Sequence, residues 1–322
     1  MPRVFIKFLF CVLVLLLLGG CSKKQDESQA SSPTAMSGRV VFRYQDARSD
    51  DRGMGHYIYP VPLQDKKTGI FDMQNFTVRD LGDMVEFQVE FVRPIDRETV
   101  DGQFFQKGWA YQIVDIYIDT NRVKGEGLRR ALPGRNLEFR EEEAWDKVVV
   151  LTPSSSRDID QYFAENSEYR DFYEMRRSII APDDVYAGTY TLTARVRKSD
   201  VGTPQESWGY QVCVLGFDRD NIGRNGLYNM EVGTFASSKA FGGGTDYEGN
   251  TNVIDILSPS KEAQYQVLSQ YRSNPGPDQN VLAILPMIYS KGKQNPPQNR
   301  SSSMNREPVD ILVEPRYLKP VE

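Results

Sequence analysis

Two clusters of acidic side chains are the part of this sequence that could bind a metal ion. They occupy residues 46–51 and 218–221, and the second has an Asp-x-Asp spacing that places two side-chain oxygens on one side of a turn. Ca²⁺ prefers clustered carboxylate and carbonyl oxygens, so calcium is the cofactor that either cluster would bind. The alternative is that both clusters form Asx turns without a metal. The candidate ligands are Asp50 and Asp51, next to Asp46, and Asp218, Asp220 and Asn221.

A second set of side chains has the chemistry that sugar recognition needs. Flat aromatic faces contact the C–H groups of a sugar ring, and planar polar groups bond to its hydroxyls. Trp109 and Trp208 each stand just before a predicted strand, at the end where loops reach solvent. The alternative is that these rings fill the core, as most aromatic side chains do. The candidate ligand-binding residues are Trp109, Tyr111, Gln112, Trp145, Trp208 and Tyr210.

Catalytic chemistry has few candidates. The chain has 1 histidine, His56, which lies in a turn-like run and is expected to be exposed. This excludes zinc sites built from several histidines and leaves a single base for a histidine-dependent hydrolase. Paired carboxylates could hydrolyse a glycosidic bond at separations of about 5–9.5 Å, but no segment resembles a glycosidase motif. We therefore expect a protein that is not an enzyme.

The elements that position these side chains are predicted to be strands. Alternation of apolar and polar residues indicates one face in a core and one in water, which is typical of antiparallel sheets. Clusters of Gly, Pro, Asn and Asp separate the runs, so the fold class is mainly β, an antiparallel, jelly-roll-like sandwich with one to three short peripheral helices. The predicted strands are Val40–Tyr44, Asp83–Val92, Val114–Asp119, Lys147–Leu151, Thr189–Arg197 and Gly209–Phe217, and the predicted helices lie in Ser156–Arg177 and Lys261–Tyr271.

The stretch Tyr210–Leu257 is expected to form the loop rim of this sandwich. A buried strand ends at Gly216, an acidic loop follows, and a triple glycine, 242–244, leads into an apolar turn with an aspartate, Asp255. Three consecutive glycines indicate a backbone that passes where no Cβ fits or that adopts positive φ. Loops of this kind hold the ligands of many binding modules.

The first 20 residues have the pattern of a lipoprotein signal peptide. A short basic region precedes an apolar run, and Leu18-Gly-Gly-Cys21 resembles the bacterial lipobox, in which the cysteine is lipidated. The alternative is an ordinary secretory peptide. Residues 21–37 are expected to be a flexible tether, 38–289 the folded domain, and 290–322 a disordered loop with a terminal edge strand. Ser22, which follows the cysteine, resembles the signal that directs lipoproteins to the outer membrane if the source is Gram-negative.

Charge and cysteine content limit the partners and the source of stability. The formal net charge is −5, which argues against nucleic acid as a partner because phosphate binding needs clustered Lys and Arg. Cys11 lies in the predicted signal peptide and Cys21 is the lipidation site. Cys213 therefore remains as a single thiol in an apolar run, and we expect it to be buried and free.

Several motifs, in order, resemble the glucodextranase C-terminal domain, a DOMON-like β-sandwich found beside α-glucan hydrolases. They are Asp50-Asp-Arg-Gly-Met-Gly-His-Tyr-Ile-Tyr-Pro60, Gly69-Ile-Phe-Asp72 with Gly82-Asp83, Asp115-Ile-Tyr-Ile-Asp119, Leu132-Pro-Gly-Arg-Asn136 with Trp145-Asp146, and Gly216-Phe-Asp218 through Phe241-Gly-Gly-Gly244 to Asn252-Val-Ile-Asp255.

The resemblance implies a non-catalytic carbohydrate-binding module whose partner is a glucan or another polysaccharide. With the lipobox, it predicts a membrane lipoprotein of the cell envelope. The alternative is an envelope structural or assembly lipoprotein that binds a protein or the cell wall.

Overall fold

The computed structural model describes residues 38–65, 67–154, 157, 159, 161, 175–218, 220, 227–244, 250–272 and 280–290. The predictions for the signal peptide, Cys21, the tether, Asn221 and the terminal strand concern residues outside these ranges, as does most of the helical segment 156–177. Within the described part of the chain, no helix combines the length and apolar character that a membrane span requires.

Within the described residues, the elements whose bounds are defined are thirteen strands and two α-helices. The strands are β1 (Arg39–Gln45), β2 (Met73–Asp80), β3 (Met84–Phe91), β4 (Gln112–Asp119), β5 (Leu137–Phe139), β6 (Lys147–Leu151), β7 (Ile179–Ile180), β8 (Val185–Ala187), β9 (Thr191–Arg197), β10 (Gly209–Gly216), β11 (Asp255–Ile256), β12 (Ala283–Leu285) and β13 (Ile288–Tyr289). The α-helices are α1 (Lys198–Val201) and α2 (Lys261–Leu268), and 3₁₀ turns occupy Val61–Leu63 and Glu141–Glu143.

The first sheet has the antiparallel order β1-β2-β3-β9-β8. On β3 the alternating residues Val85, Phe87, Val89 and Phe91 are fully buried, as the period of two predicts. On the outer face Glu86 accepts from its cross-strand neighbours Arg79 and Arg195, at 3.0 and 3.1 Å. Strict alternation does not predict β2, because two consecutive polar residues, Gln74 and Asn75, follow Met73. The strand forms by pairing with β1 and β3.

The second sheet has the order β11-β10-β4-β6-β7, with β13 beside β11 on the same edge of β10. It packs on the first sheet through Tyr210, whose ring centre lies 4.6 Å from that of Phe42 and 5.7 Å from that of Phe76. The two sheets enclose the main core, which confirms the predicted antiparallel β-sandwich.

A covering layer lies on the outer face of the second sheet. Tyr117 of β4 packs against Phe139 and Trp145, with ring centres 5.0 and 5.4 Å apart. β12 pairs with β5 in parallel and completes this layer. Because both faces of the sheet are covered, every residue of β4 and β10 is buried, including several polar side chains. Asp115 of β4 accepts from Arg135, and Gln211 of β10 donates to the carbonyl of Pro286. In contrast, Gln112 Oε1 and Tyr210 Oη have no hydrogen-bond partner among the described residues.

Helix α2 confirms the helix predicted from Lys261 and ends at Leu268. The Ser260 hydroxyl accepts a hydrogen bond from the backbone N–H of Ala263 at 3.2 Å, which caps the first turn. The buried Gln264 accepts from the N–H of Ile256 at 2.9 Å and donates to the carbonyl of Gly53 at 3.2 Å. The helix therefore connects β11 to the loop that follows β1.

Candidate functional site

The loop 46–60 joins the two sheets at one end of the sandwich. Its backbone leaves β1 and bonds to the second sheet, since the N–H of Ala47 donates to Ser258 O at 3.3 Å and that of Gly53 to Ile254 O at 2.8 Å. Further along, Ile58 and Gly242 exchange two backbone hydrogen bonds, both 2.8 Å long. This loop therefore controls the relative position of β11 and the triple-glycine turn.

The triple-glycine turn passes too close to this loop to accept side chains. Gly243 has φ +82°, and a Cβ there would lie 2.3 Å from the carbonyl oxygen of His56. A Cβ on Gly242 would lie 2.2 Å from the backbone nitrogen of Ala236. Both reasons expected from the sequence, close approach and positive φ, hold at this turn.

Three aspartates from distant parts of the chain meet beneath the loop. Asp46 follows β1, Asp50 lies in the loop, and Asp255 begins β11. One carboxylate oxygen from each lies within 4.8 Å of the others, and all three side chains are buried. Asp72, which precedes β2, is also buried and acts electrostatically on Asp46 and Asp255. We call Asp46, Asp50, Asp72 and Asp255 the aspartate cluster.

Backbone amides hold one oxygen of three of these carboxylates. Asp46 Oδ1 accepts from Ser258 N at 2.6 Å, Asp255 Oδ2 from Met73 N at 2.8 Å, and Asp72 Oδ2 from Ser49 N at 2.8 Å. The remaining oxygens have no hydrogen-bond partner among the residues that the structure describes: Asp46 Oδ2, Asp50 Oδ1, Asp50 Oδ2, Asp72 Oδ1 and Asp255 Oδ1.

Burial makes the charged form of this cluster costly. It raises the pKa of Asp46 to about 9, of Asp72 to about 7 and of Asp50 to about 6, and neighbouring carboxylates add to each increase. Burial also raises the pKa of Asp255 well above its usual value, again with Asp46 and Asp50 adding to the increase. Carboxylates in such surroundings are stabilised by a proton or by a cation.

The aspartate cluster differs from the ligand set expected from the sequence. Asp50 belongs to it, but the carboxylate of Asp51 accepts a hydrogen bond from Tyr59 Oη and lies outside the three-residue group. Asp72 and Asp255 were not among the ligands expected from the sequence. Asp255 carries a detectable signal, because it is an acidic residue within the apolar run Val253–Leu257.

The second predicted acidic cluster lines a surface cleft instead. Asp218 Oδ1 accepts from the N–H of Asp220 at 3.0 Å, which is an Asx turn, and Lys239 forms an ion pair with Asp220. The cleft has a volume of about 290 Å³. Its described lining residues are Asp218, Asp220, Glu231, Ser237, Lys239 and Ala240.

Phe235 is an exposed aromatic residue in the loop that contributes Ser237 to the cleft. Phe235 stands two positions before Ser237 in the same loop, and 78% of its surface is exposed. A single exposed apolar side chain is common on protein surfaces, so Phe235 is a candidate contact only because its loop also contributes Ser237 and Lys239 to the cleft. Phe235 was not expected from the sequence to be a ligand contact, because a single phenylalanine in a polar loop gives no periodic signal.

The expectation that aromatic side chains form an exposed groove on this rim is corrected. Trp109 Nε1 donates to the carbonyl of Gln112 at 2.8 Å, and Trp145 Nε1 to that of Arg130 at 2.9 Å, so both indoles have partners inside the protein. The aromatic rings belong to the hydrophobic core, and burying them removes a large apolar area from water. All six predicted ligand-binding residues are buried: Trp109, Tyr111, Gln112, Trp145, Trp208 and Tyr210.

The remaining chemical candidates agree with the expectations from the sequence. His56 is exposed in its loop, with its ring edge-on to Tyr57 at 5.9 Å. Cys213 is a buried free thiol on β10.

Comparison with known proteins agrees with a binding role. A search of curated proteins finds no match to this chain. Residues 41–285 match the family model described as the C-terminal binding module, SLH-like, of glucodextranase. The matched range runs from β1 to β12 and contains the aspartate cluster and the surface cleft. The match is to a binding module rather than to a catalytic domain. The chain belongs to the family of glucodextranase C-terminal binding modules.

Proposed function

We propose that this protein is a lipid-anchored, non-catalytic carbohydrate-binding protein of the cell envelope, whose ligand is a glucan-like polysaccharide. The observation that carries the choice of surface is the cleft at Asp218 and Lys239, whose lining residue Ser237 shares a loop with the exposed Phe235.

The cleft has the groups that bind sugar hydroxyls. Carboxylates accept from hydroxyl groups, the lysine ammonium donates, and the Ser237 hydroxyl does both. The ring of Phe235 offers an apolar face to the C–H side of a sugar ring. A volume of about 290 Å³ is at the lower end for small-molecule sites, which suits a short stretch of a polysaccharide bound at the surface.

The anchor and location rest on the N-terminal sequence. Cys21 follows an apolar run and two glycines, as in a lipobox. Each buried CH₂ of an acyl chain contributes about 0.8 kcal/mol, so two or more chains would hold the protein on a membrane without a spanning helix. Residues 22–37 would then give the module reach from the membrane surface, which in a Gram-negative cell would be that of the outer membrane.

A glycan array probed with the full-length protein in detergent tests the ligand class. We expect binding to glucans, and we expect Phe235→Ala and Asp218→Asn to weaken it several-fold. Tyr190→Ala is the matched control, because Tyr190 is an exposed aromatic residue between β8 and β9, outside the loop that contributes Ser237 and Lys239 to the cleft. An array without any bound polysaccharide, or equal losses for Tyr190→Ala and Phe235→Ala, would contradict this proposal.

A second candidate function is an envelope assembly lipoprotein that binds a protein partner. It is favoured by Ile58 and Val61, whose surfaces are 46% and 57% exposed on the segment that borders the triple-glycine turn. This candidate predicts no glycan binding. It also predicts that a photo-crosslinking residue at Val61 captures one defined envelope protein, and that Ile58→Ser prevents the crosslink.

A further inference from the structure

We propose that Asp46, Asp50 and Asp255 bind one Ca²⁺ ion between the two sheets of the sandwich. Asp72 lies outside this three-residue group and acts electrostatically on Asp46 and Asp255. The inference is independent of the carbohydrate ligand, since none of these residues lines the surface cleft.

The spacing of the carboxylates fits one ion. Ca²⁺ binds oxygens at about 2.3–2.6 Å, so two ligands on opposite sides of the ion are at most about 5.2 Å apart. The three carboxylates each place an oxygen within 4.8 Å of the others. A single calcium ion can therefore contact all three without a change in the backbone.

The bare oxygens show which atoms would bind the ion. Backbone N–H groups hold Asp46 and Asp255 through one oxygen each, which fixes the orientation of both carboxylates. The second oxygen of each, and both oxygens of Asp50, are buried without a hydrogen-bond partner in the described part of the chain. Buried polar atoms are nearly always satisfied, so the unpartnered oxygens of these three grouped carboxylates favour a bound cation.

The protein neutralises a buried aspartate differently elsewhere. Asp115 is paired with the buried Arg135 through two hydrogen bonds. Within the described residues, no Lys or Arg forms an ion pair with any of the three clustered aspartates. A buried arginine therefore neutralises Asp115, whereas no described basic side chain forms an ion pair with Asp46, Asp50 or Asp255.

Calcium fits this site better than magnesium. Mg²⁺ keeps several waters and requires a near-ideal octahedron, whereas Ca²⁺ accepts many carboxylate oxygens in irregular geometry. The three aspartates are at most 4% exposed, so a bound ion would be coordinated mainly by protein oxygens.

The ion would connect parts of the fold that are distant in sequence. Asp46 follows the first sheet's edge strand, and Asp255 belongs to the second sheet. The loop between Asp46 and Pro60 also bonds to the triple-glycine turn through Ile58. Binding at this point would stabilise the native state by mass action, because the unfolded chain does not hold these carboxylates together.

Thermal unfolding of the full-length protein in detergent tests the site. Protein stripped with EDTA should melt several degrees lower than the same protein in excess Ca²⁺, and metal analysis before stripping should find one calcium per chain. Asp255→Asn and Asp46→Asn keep the side-chain shape and the amide-accepting oxygen, so both variants should fold but should not respond to Ca²⁺. Asp218→Asn, in the other acidic cluster, should respond as the wild type does.

A second comparison uses the charge of the cluster. In EDTA, Asp255→Asn should melt at or above the temperature of the wild type, because one buried carboxylate has been removed. In Ca²⁺ the order should reverse. The proposal is overturned if the wild type melts identically with and without Ca²⁺, if Asp255→Asn keeps the full response, or if Mg²⁺ at the same concentration stabilises equally.

Discussion

Arg135 and Asp115 form a bidentate ion pair inside the protein: Nε donates to Oδ2 at 2.7 Å and Nη2 to Oδ1 at 3.1 Å, and neither side chain is exposed. The remaining guanidinium nitrogen donates to Asn229 Oδ1 at 3.0 Å. Arg135 follows the Pro-Gly turn of the covering layer, whereas Asp115 lies on β4. The pair therefore holds that layer on the outer face of the second sheet.

Replacing Arg135 with methionine should destabilise the protein by about 3–5 kcal/mol, because it leaves the Asp115 carboxylate buried without a partner. Chemical denaturation of the wild type and the variant measures this difference. Arg197→Met is the control, since Arg197 pairs with Asp200 at the surface and should change stability little. Similar losses in the two variants would show that the buried pair has no special role in stability.

Gly243→Ala should destabilise the protein more than Gly102→Ala. The two glycines have nearly equal φ, +82° and +83°, so both substitutions carry the same cost of about 1 kcal/mol for a left-handed alanine. A Cβ at Gly243 would in addition lie 2.3 Å from His56 O, whereas nothing lies within 4 Å of a Cβ at Gly102. Thermal melting of the two variants isolates this steric contribution, and equal melting temperatures would contradict a close approach at the triple-glycine turn.

Trp109→Ala and Phe235→Ala should have opposite effects. Trp109 is fully buried, so its removal should cost about 3–5 kcal/mol of stability. Phe235 is 78% exposed, so its removal should leave the melting temperature nearly unchanged while it weakens glucan binding several-fold. Melting curves and affinity electrophoresis in a soluble glucan measure the two quantities. A stable Trp109→Ala variant with impaired glucan binding would show that the Trp109 ring does contact the ligand.

Cys21→Ser should abolish lipid labelling of the protein in cells. Serine offers no thiol for acylation, so the variant should accumulate as unprocessed precursor or appear in the soluble fraction. Labelling with an alkyne fatty acid, followed by membrane fractionation, measures both effects. Cys213→Ser is the control, because that thiol is buried in β10 and should not be acylated. Unchanged processing and membrane binding of Cys21→Ser would reject the lipid anchor.

Local sequence determined most of the secondary structure. The strict alternation of residues 83–92 predicts β3, and the side chains of Val85, Phe87 and Val89 do face the core. The helix predicted from Lys261 is α2, and the structure adds that the Ser260 hydroxyl caps its first turn. The triple glycine indicates close backbone packing. Each of these signals depends on residues adjacent in the chain, so a single sequence contains it in full.

Tertiary structure decided which side chains are available for binding. The sequence places Trp109 and Trp208 at strand ends, but whether a strand end is open depends on the loops that fold over it, and here they bury both rings. In the same way, Asp46 and Asp255 lie near the beginning and the end of the domain's amino-acid sequence. They meet because β1 and β11 lie at one end of the sandwich and α2 ties β11 to the loop after β1. Spacing along the chain contains no information on that proximity, since it is created by the packing of two different sheets and by the hydrogen bonds of α2.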